Sequence, residues 1–344
     1  MRDMNTDRLY DLANQYRHLR IGVVGDFFLD RYLHIDATKS ETSIETGLPV
    51  HNVVAVRSQP GAAGTILNNL VALEVGVIHA VGYCGDDGEG YELRRALANL
   101  PGVSVEHLVT SSSRLTPVYC KPLLFEPGRS PRELNRLDTK NWSPTPSDLE
   151  RDLADRVGKL ASKVDVLLLL DQVEIPETGV ATRVVRDAVH AAMREGIGLM
   201  VLADSRRGLH NFPPVGFKMN AAELGRMTQS SSTELEAVKT QAAVLAKSTR
   251  QPVFVTLAER GIVGAFPGQN PDYVPAYPVR GPIDVVGAGD AVMANLAAAL
   301  AAGASPREAM ELAMAAASFV IHQLDTTGTA SIRQIASLLP RATE

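Results

Sequence analysis

Short apolar segments alternate with segments of helical character along most of this chain, and this alternation restricts the fold more than any other feature. Runs typical of buried strands are IGVVGD at 21–26, VIHAVGY at 77–83, VDVLLLL at 164–170 and PVFVTL at 252–257. Strands that alternate with helices form a parallel sheet that helices cover on both faces. The sequence therefore predicts an α/β fold, a three-layer αβα sandwich with a mostly parallel central sheet.

Two segments, 31–60 and 115–138, interrupt this alternation. Both carry alternating polar and apolar residues, and the second contains a Pro- and Gly-marked turn, EPGRSPRE, at 126–133. Such segments are typical of exposed strands, and the two can pair into a small sheet outside the core. We therefore expect a single domain over residues 1–344, with one small accessory sheet.

Composition excludes several classes of function. The formal net charge of −5 provides no dominant basic face, so we expect neither a nucleic-acid nor a membrane partner. The two cysteines form no CxxC motif, and the scattered histidines do not predict a zinc site. The first twenty residues are charged and lack the apolar region of a signal peptide, so we expect a cytoplasmic protein.

The stretch DVVGAGDAVMANLAAALAAG, at 284–303, carries the strongest chemical signal. A helix that opens with Gly287, Ala288 and Gly289 exposes unpaired backbone amides, which attract an anion. The carboxylate of Asp290 would repel the same anion, unless it serves as the base for a hydroxyl that attacks a phosphoryl group held by these amides. The alternative is that Asp290 only complements the helix dipole.

Three further motifs have both a functional and a structural interpretation. Asp26 and Asp30, in GDFFLD, can accept hydrogen bonds from sugar hydroxyls, or they can be an ordinary surface pair. The small-residue turn in PGAAGTILNN, at 60–69, can admit a polyol, or it can be a packed helix start. Asn220 and Glu223, in NAAE, can hold Mg²⁺ through water, or they can form a capping box.

The order of these motifs resembles that of the ribokinase-like carbohydrate kinases, also called the phosphofructokinase-B family. The motifs are the GD pair, the small-residue turn, NxxE and DVVGAGD, and the last is similar to the family's hallmark, DTxGAGD. The resemblance covers about residues 20–338. Within the family, the chain is most similar to the heptose-phosphate kinases, through SIETGLPV at 43–50, TPVYCK, NRLD and QLDTTGTASI. The resemblance implies a ribokinase-like fold in which segments 31–60 and 115–138 form a β lid.

The resemblance also implies a role for each motif. ATP and Mg²⁺ would be required, K⁺ is a further candidate, and the lid often pairs two subunits, so a homodimer is expected. The implied catalytic base is Asp290, and the implied anion hole comprises Gly287, Ala288 and Gly289. The implied sugar-binding residues are Asp26, Asp30, Gly61, Ala62, Ala63, Gly64 and Asn69. The implied residues of the nucleotide and Mg²⁺ site are Asn220, Glu223, Thr256 and Gly261, and the candidates for a monovalent cation are Asp284, Val286 and residues around 320–329.

The chain departs from the family pattern at three positions. Val285 replaces the usual Thr of DTxGAGD, and Thr65 stands where the family usually has Asn. Glu41 stands near an Arg of the heptose kinases and so reverses the charge. These departures predict a substrate other than heptose 7-phosphate. Lys121 and Arg136 can still bind a phosphate or an acid on the sugar, or they can be solvated charges of the lid.

The sequence thus favours an ATP-dependent kinase that phosphorylates a hydroxyl of a sugar or sugar phosphate. The alternative, which Val285 and Thr65 support, is a non-catalytic sugar or nucleotide sensor that retains the kinase fold. A dinucleotide-dependent oxidoreductase is disfavoured, because GVVGDFF lacks the GxGxxG spacing after the first strand.

Overall fold

The fold is built around one large, mostly parallel sheet. The structure, a computed structural model, describes residues 4–195, 198–230, 232–324 and 327–341. The strands of the sheet lie in the order β17-β16-β15-β14-β13-β12-β1-β6-β7, and β8 also pairs with β6. These strands are β1 (Arg20–Gly25), β6 (Val77–Gly85), β7 (Val103–Ser104), β8 (Leu108–Ser111), β12 (Val166–Asp171), β13 (Met200–Ser205), β14 (Gly216–Asn220), β15 (Val253–Thr256), β16 (Ile262–Ala265) and β17 (Asp272–Val274).

The pairing pattern confirms the predicted parallel sheet. Strand β1 lies between β12 and β6 and is parallel to both, and β13, β14 and β15 continue the parallel arrangement. Among the described strands of this sheet, only the β15-β16-β17 edge is antiparallel. Because the carboxyl ends of parallel strands meet at one edge, the loops after β1, β12, β13, β14 and β15 converge there.

A second, smaller sheet, which we call the lid sheet, lies outside the central one. Its strands are β2 (Phe27–Asp36), β5 (Val53–Ala62), β9 (Val118–Phe125), β10 (Arg132–Glu133) and β11 (Leu137–Thr139), with a separate ribbon of β3 (Glu41–Thr42) and β4 (Pro49–Val50). Strand β2 pairs antiparallel with β5 and parallel with β9, so the two interrupting segments do form one sheet. The first segment begins at Phe27 rather than at 31, because β2 follows β1 after a single intervening residue.

Helices cover both faces of the central sheet and create one apolar core on each. One face is covered by α1 (Thr6–Tyr16), α2 (Ala63–Ala72), α3 (Gly88–Ala98), α8 (Ala288–Ala301), α9 (Pro306–Val320) and α10 (Ile332–Ala336). The other face is covered by α4 (Ser147–Ala161), α5 (Arg183–Glu195), α6 (Ala221–Thr228) and α7 (Leu235–Thr249). Among the described residues, no helix is both long enough and apolar enough to cross a lipid bilayer.

Two predicted elements differ from those observed. The sequence VSVEHLV at 103–109 has the pattern of one strand, but the structure splits it into β7 and β8, with turn residues between them. The sequence at 178–195 has the pattern of one helix, but α5 begins at Arg183, because Gly179 and Val180 belong to a loop whose Val180 amide donates a hydrogen bond to the Asp26 carboxylate. Asp26 therefore fixes this loop against the end of β1.

Candidate active site

Two adjoining cavities open at the carboxyl edge of the parallel strands. The first, which we call the body chamber, has a volume of about 540 Å³ and is lined by β14, β15, α8, α9 and their loops. The second, the lid chamber, has a volume of about 450 Å³ and lies between the lid sheet and the start of α8. Within the described part of the chain, Asp290 and Arg206 are the residues that line both chambers. A group bound in one chamber can therefore reach a group in the other at Asp290.

The first turn of α8 provides free backbone donors at this junction. The turn begins at Gly287, whose φ of 85° lies in the left-handed region that favours glycine. The Ala288 amide donates to the Val285 carbonyl, but the amides of Gly289 and Asp290 have no hydrogen-bond partner in the residues that the structure describes. These two N–H groups at a helix N-terminus can bind an anion.

The Asp290 carboxylate lies deep in the cleft, yet solvent still reaches it. Burial raises its pKa from 3.8 to about 7, with Lys218 acting in the opposite direction and Asp204 adding to the rise. A carboxylate with a pKa near neutrality is well suited to accept a proton from a substrate hydroxyl.

A buried ion pair lies beneath this turn. Lys218 Nζ, on β14, is 2.6 Å from Asp204 Oδ2, on the neighbouring strand β13. Burial acts to lower the pKa of Lys218, but the nearby Asp204, Asp290 and Glu223 outweigh it and raise that pKa. A Cβ at Gly289 would lie 3.0 Å from Lys218 Nζ, so a small residue there lets the ammonium approach the anion-binding turn.

The body chamber contains the four residues predicted for nucleotide and Mg²⁺ binding. Asn220 Oδ1 accepts from the Glu223 amide at 2.9 Å, and Glu223 Oε2 accepts from the Asn220 amide at 2.7 Å, which is a capping box. Both also line the chamber, so the structural and functional interpretations of NAAE coexist. Thr256 and Gly261 line the same wall, and Gly261 has a φ of 119°.

The oxygen atoms at the cleft fit the two metal ions, Mg²⁺ and K⁺, that the sequence resemblance implies. Burial raises the pKa of Glu223, and its carboxylate uses one oxygen in the capping box, so the other can hold a water of Mg²⁺. Asp284 lines the lid chamber and accepts from the Val286 amide at 2.9 Å, and Thr327 Oγ1 nearby has no partner among the described residues. Oxygens of this kind suit a monovalent cation. Asp325 and Thr326, within the candidate range 320–329, lie outside the described residues.

The lid chamber brings together charged residues from both interrupting segments. Asp30 is 5% exposed, and its Oδ2 lies 3.7 Å from Lys121 Nζ, while its Oδ1 has no hydrogen-bond partner in the described part of the chain. Arg136 pairs with Asp138 and lies over the Tyr119 ring at 4.5 Å. A carboxylate and two cations along one cavity suit a polar ligand that carries hydroxyl groups.

The structure also shows which predicted sugar residues reach this chamber. Ala62 lines it, as does Thr65, the residue that departs from the family pattern. Gly61 lies behind Asp30, since a Cβ there would be 2.6 Å from Asp30 Oδ1. Gly61 therefore leaves room for the carboxylate rather than contacting the cavity itself.

Four other predicted sugar ligands lie away from the cavity. Asp26 is 3% exposed, and its two oxygens accept from the amides of Gln172 and Val180, so it positions loops instead of facing the chamber. Asn69 is buried one turn into α2, where its Nδ2 donates to the Thr65 carbonyl. Ala63 and Gly64 pack in the buried start of the same helix.

The sequence interpretation missed Asp204, Arg206 and Lys218, which lie in the cleft. A signal was present for two of them, because Lys218 interrupts an apolar strand in GFKMN and Asp204 ends another in VLAD. Arg206 is one of two adjacent arginines in the loop after β13. Only its position where the two chambers meet distinguishes it from Arg207.

Comparisons with known proteins agree with this geometry. The model of the pfkB family of carbohydrate kinases matches residues 33–333. The bifunctional protein HldE of Bradyrhizobium sp. (strain ORS 278) is 31% identical over 339 residues, which cover 96% of this chain and 66% of that protein. HldE of Azotobacter vinelandii is 33% identical over 317 residues, covering 90% of this chain and 61% of the relative. The chain therefore spans a little under two thirds of the length of the curated relatives it matches.

Solved structures share the fold. Phosphofructokinase-2 from Escherichia coli in complex with potassium superposes with a TM-score of 0.70 at 20% identity, over 93% of this chain and 98% of that one. Arabidopsis thaliana ribokinase, complexed with ribose and ATP, gives a TM-score of 0.64 at 22% identity, over 94% and 96% of the two chains. With the family model matching most of its length, the chain belongs to the pfkB family of carbohydrate kinases and has the ribokinase-like fold.

Proposed function

We propose that this protein is an ATP-dependent kinase that transfers the γ-phosphoryl group to a hydroxyl of a sugar or sugar phosphate. The observation that carries the proposal is the position of Asp290, a carboxylate with a pKa of about 7 at the point where the body chamber and the lid chamber meet. The nucleotide would occupy the body chamber and the acceptor the lid chamber. Membership of the pfkB family supports this assignment.

In the proposed reaction, the carboxylate of Asp290 takes the proton of the acceptor hydroxyl while the oxygen of that hydroxyl attacks the γ-phosphorus of ATP. The bond between that phosphorus and the β–γ bridging oxygen breaks, ADP leaves, and Asp290 later releases the proton to solvent. The amides of Gly289 and Asp290 and the ammonium of Lys218 stabilise the negative charge of the phosphates. Glu223 and Asn220 would hold Mg²⁺ through water, and the bound ion would supply positive charge beside the phosphates.

The lid chamber supports an acceptor that is rich in hydroxyls. The Asp30 carboxylate lines the chamber and can accept a hydrogen bond from one hydroxyl, and Lys121 can donate to another oxygen. Proteins with this fold bind both kinds of ligand, since Arabidopsis thaliana ribokinase forms a complex with ribose and Escherichia coli phosphofructokinase-2 forms one with fructose-6-phosphate.

A coupled assay of ADP release, with MgATP and a panel of sugars, sugar phosphates and nucleosides, tests the proposal. We expect acceptor-dependent ADP formation with at least one member of the panel. Ligands that raise the melting temperature without any ADP formation would instead favour the sensor hypothesis.

The lid also supports a homodimer. Strand β5 is an edge of the lid sheet, and Val53, Val54 and Val56 on it are 44%, 49% and 54% exposed. Exposed apolar residues on an unpaired edge strand favour contact with a second chain. Light scattering after size-exclusion chromatography tests this, with a mass of twice 36.9 kDa as the expected result and the monomer mass as the contrary one.

A further inference from the structure

Arg206 lies in the loop after β13. Among the described residues, Arg206 and Asp290 are the two that line both chambers. We infer that Arg206 is a catalytic residue that contacts the phosphoryl group during transfer, and that Tyr119 of the lid holds it in that position. The inference rests on the proposed kinase function and assigns a role that none of the sequence motifs carries.

The hydrogen bonds of Arg206 orient its guanidinium group without neutralising its positive charge. Its Nε donates to Gln172 Oε1 at 2.9 Å, its Nη1 donates to the Tyr119 hydroxyl at 2.9 Å, and its backbone amide donates to the Asp171 carbonyl at 3.1 Å. Both side-chain partners are uncharged, and Nη2 has no partner among the described residues. One edge of the guanidinium thus stays available for a ligand.

The neighbouring cations of the cleft, in contrast, each lie close to a carboxylate. Arg207 pairs with Asp171 at 2.5 Å, Lys218 with Asp204 at 2.6 Å, and Lys121 approaches Asp30 at 3.7 Å. No carboxylate of the described residues forms an ion pair with Arg206. A guanidinium that is held in place while its charge remains uncompensated is suited to an anionic ligand.

The charge of Arg206 acts on both sides of the junction. It lowers the pKa of Asp290, at the start of α8, and also that of Asp30, in the lid chamber, against the larger effect of burial on each carboxyl. During transfer the phosphoryl group passes from the body chamber toward the acceptor, with its charge spread over its equatorial oxygens. A cation that faces both chambers can stay in contact with that group from beginning to end.

The bond to Tyr119 connects this cation to the lid. Tyr119 lies on β9, which pairs with β2, and its ring also packs edge-to-face against Phe28 at 5.0 Å. The Tyr119 hydroxyl is therefore fixed by the lid sheet, whereas Gln172 belongs to the body. The guanidinium of Arg206 is thus held between one acceptor of the lid and one of the body, so its proposed position depends on both.

The first test needs no acceptor. Isothermal titration compares the affinity of the full-length protein for ADP with Mg²⁺, in the absence and presence of aluminium fluoride, which mimics the transferring phosphoryl group. We expect aluminium fluoride to tighten ADP binding at least tenfold in the unaltered protein. Arg206→Met should lose most of this gain while keeping its affinity for ADP alone within about threefold. Arg183→Met, an exposed arginine on α5, is the matched control and should keep the gain.

The second test uses an acceptor found in the ADP-release panel. Arg206→Met should lower kcat by roughly 10²–10³-fold, in the range of a lost transition-state donor, with little change in the KM for ATP. Arg206→Lys should restore part of the rate. Tyr119→Phe, which keeps the ring and removes only the hydroxyl, should lower kcat by about 3–10-fold, as expected for one lost hydrogen bond.

The outcomes separate the inference from the function on which it rests. If the protein phosphorylates an acceptor and Arg206→Met keeps its kcat and its gain from aluminium fluoride, the inference is wrong and the proposed function stands. If the unaltered protein binds ADP but shows neither turnover nor a gain with aluminium fluoride, the proposed function is wrong and the inference falls with it.

Discussion

Replacement of Asp290 by Asn should stabilise the folded protein, and the gain should depend on pH. The carboxyl is buried enough to raise its pKa from 3.8 to about 7, so the folded state favours its protonated form. Asn is nearly isosteric and uncharged, and Lys218 keeps its ion pair with Asp204 in the variant. The substitution therefore removes the cost of holding a carboxylate in the cleft without breaking that pair.

The magnitude follows from the difference between the two pKa values. A rise of about three pH units corresponds to about 4 kcal/mol at 1.36 kcal/mol per unit. Solvent reaches the Asp290 side chain, which reduces this figure, so we expect a gain in unfolding free energy of about 1–3 kcal/mol.

The direction of the pH dependence follows from proton linkage. Below about pH 4 the carboxyl is protonated in both the folded and the unfolded state, so Asp and Asn should be nearly equivalent. As the pH rises from about 4 to 7 the unfolded state loses its proton first, and the wild-type protein loses stability relative to the variant. Above pH 7 the difference should be constant.

Urea unfolding of both proteins without ligand, at pH 4.5 and pH 8, measures this difference. Asp26, whose pKa burial also raises to about 7, is present in both proteins and cancels in the comparison. A stability gain of the same size at both pH values, or a loss at pH 8, would refute the proposed burial of a catalytic carboxylate.

Three further predictions concern the same cleft. The plot of kcat/KM against pH should rise toward a plateau with an apparent pKa near 7, since the base must be deprotonated; initial rates between pH 5.5 and 9 check this, and a rate that stays constant down to pH 5.5 would contradict it. Lys218→Met leaves Asp204 as an unpaired buried carboxylate and should cost about 3–5 kcal/mol in urea unfolding, of which a second substitution, Asp204→Leu, should recover a large part. Glu223→Gln keeps an oxygen for the capping box but removes the charge, so the Mg²⁺ concentration for half-maximal rate should rise about tenfold with an unchanged melting temperature; an unchanged Mg²⁺ requirement would remove Glu223 from the metal site.

The sequence was sufficient to predict the layers and the lid, because both depend on local patterns. Apolar runs of strand length between helical segments lead directly to the parallel sheet, and polar–apolar alternation identified segments 31–60 and 115–138 as the strands that now pair as β2, β5 and β9. The bare turn before Asp290 was likewise visible in the residues themselves, since small side chains at a helix start expose amides.

Contacts between distant segments could not be predicted in the same way. Lys218 meets Asp204 only because β13 and β14 are parallel neighbours in a particular register, which single-strand patterns do not specify. Asp26 and Asp30 are alike in sequence, yet Asp26, which precedes β2, accepts from backbone amides, whereas Asp30, on β2, lines the lid chamber. Arg206 gains its position from Tyr119, which lies far away in the chain.

Steady-state kinetics of Asp290→Asn, with the best acceptor of the panel and saturating MgATP, tests the assigned base most directly. We predict that kcat falls by roughly 10²–10⁴-fold while the dissociation constant for ATP stays within about threefold. A variant that retained the full kcat would show that another group, or none, removes the proton.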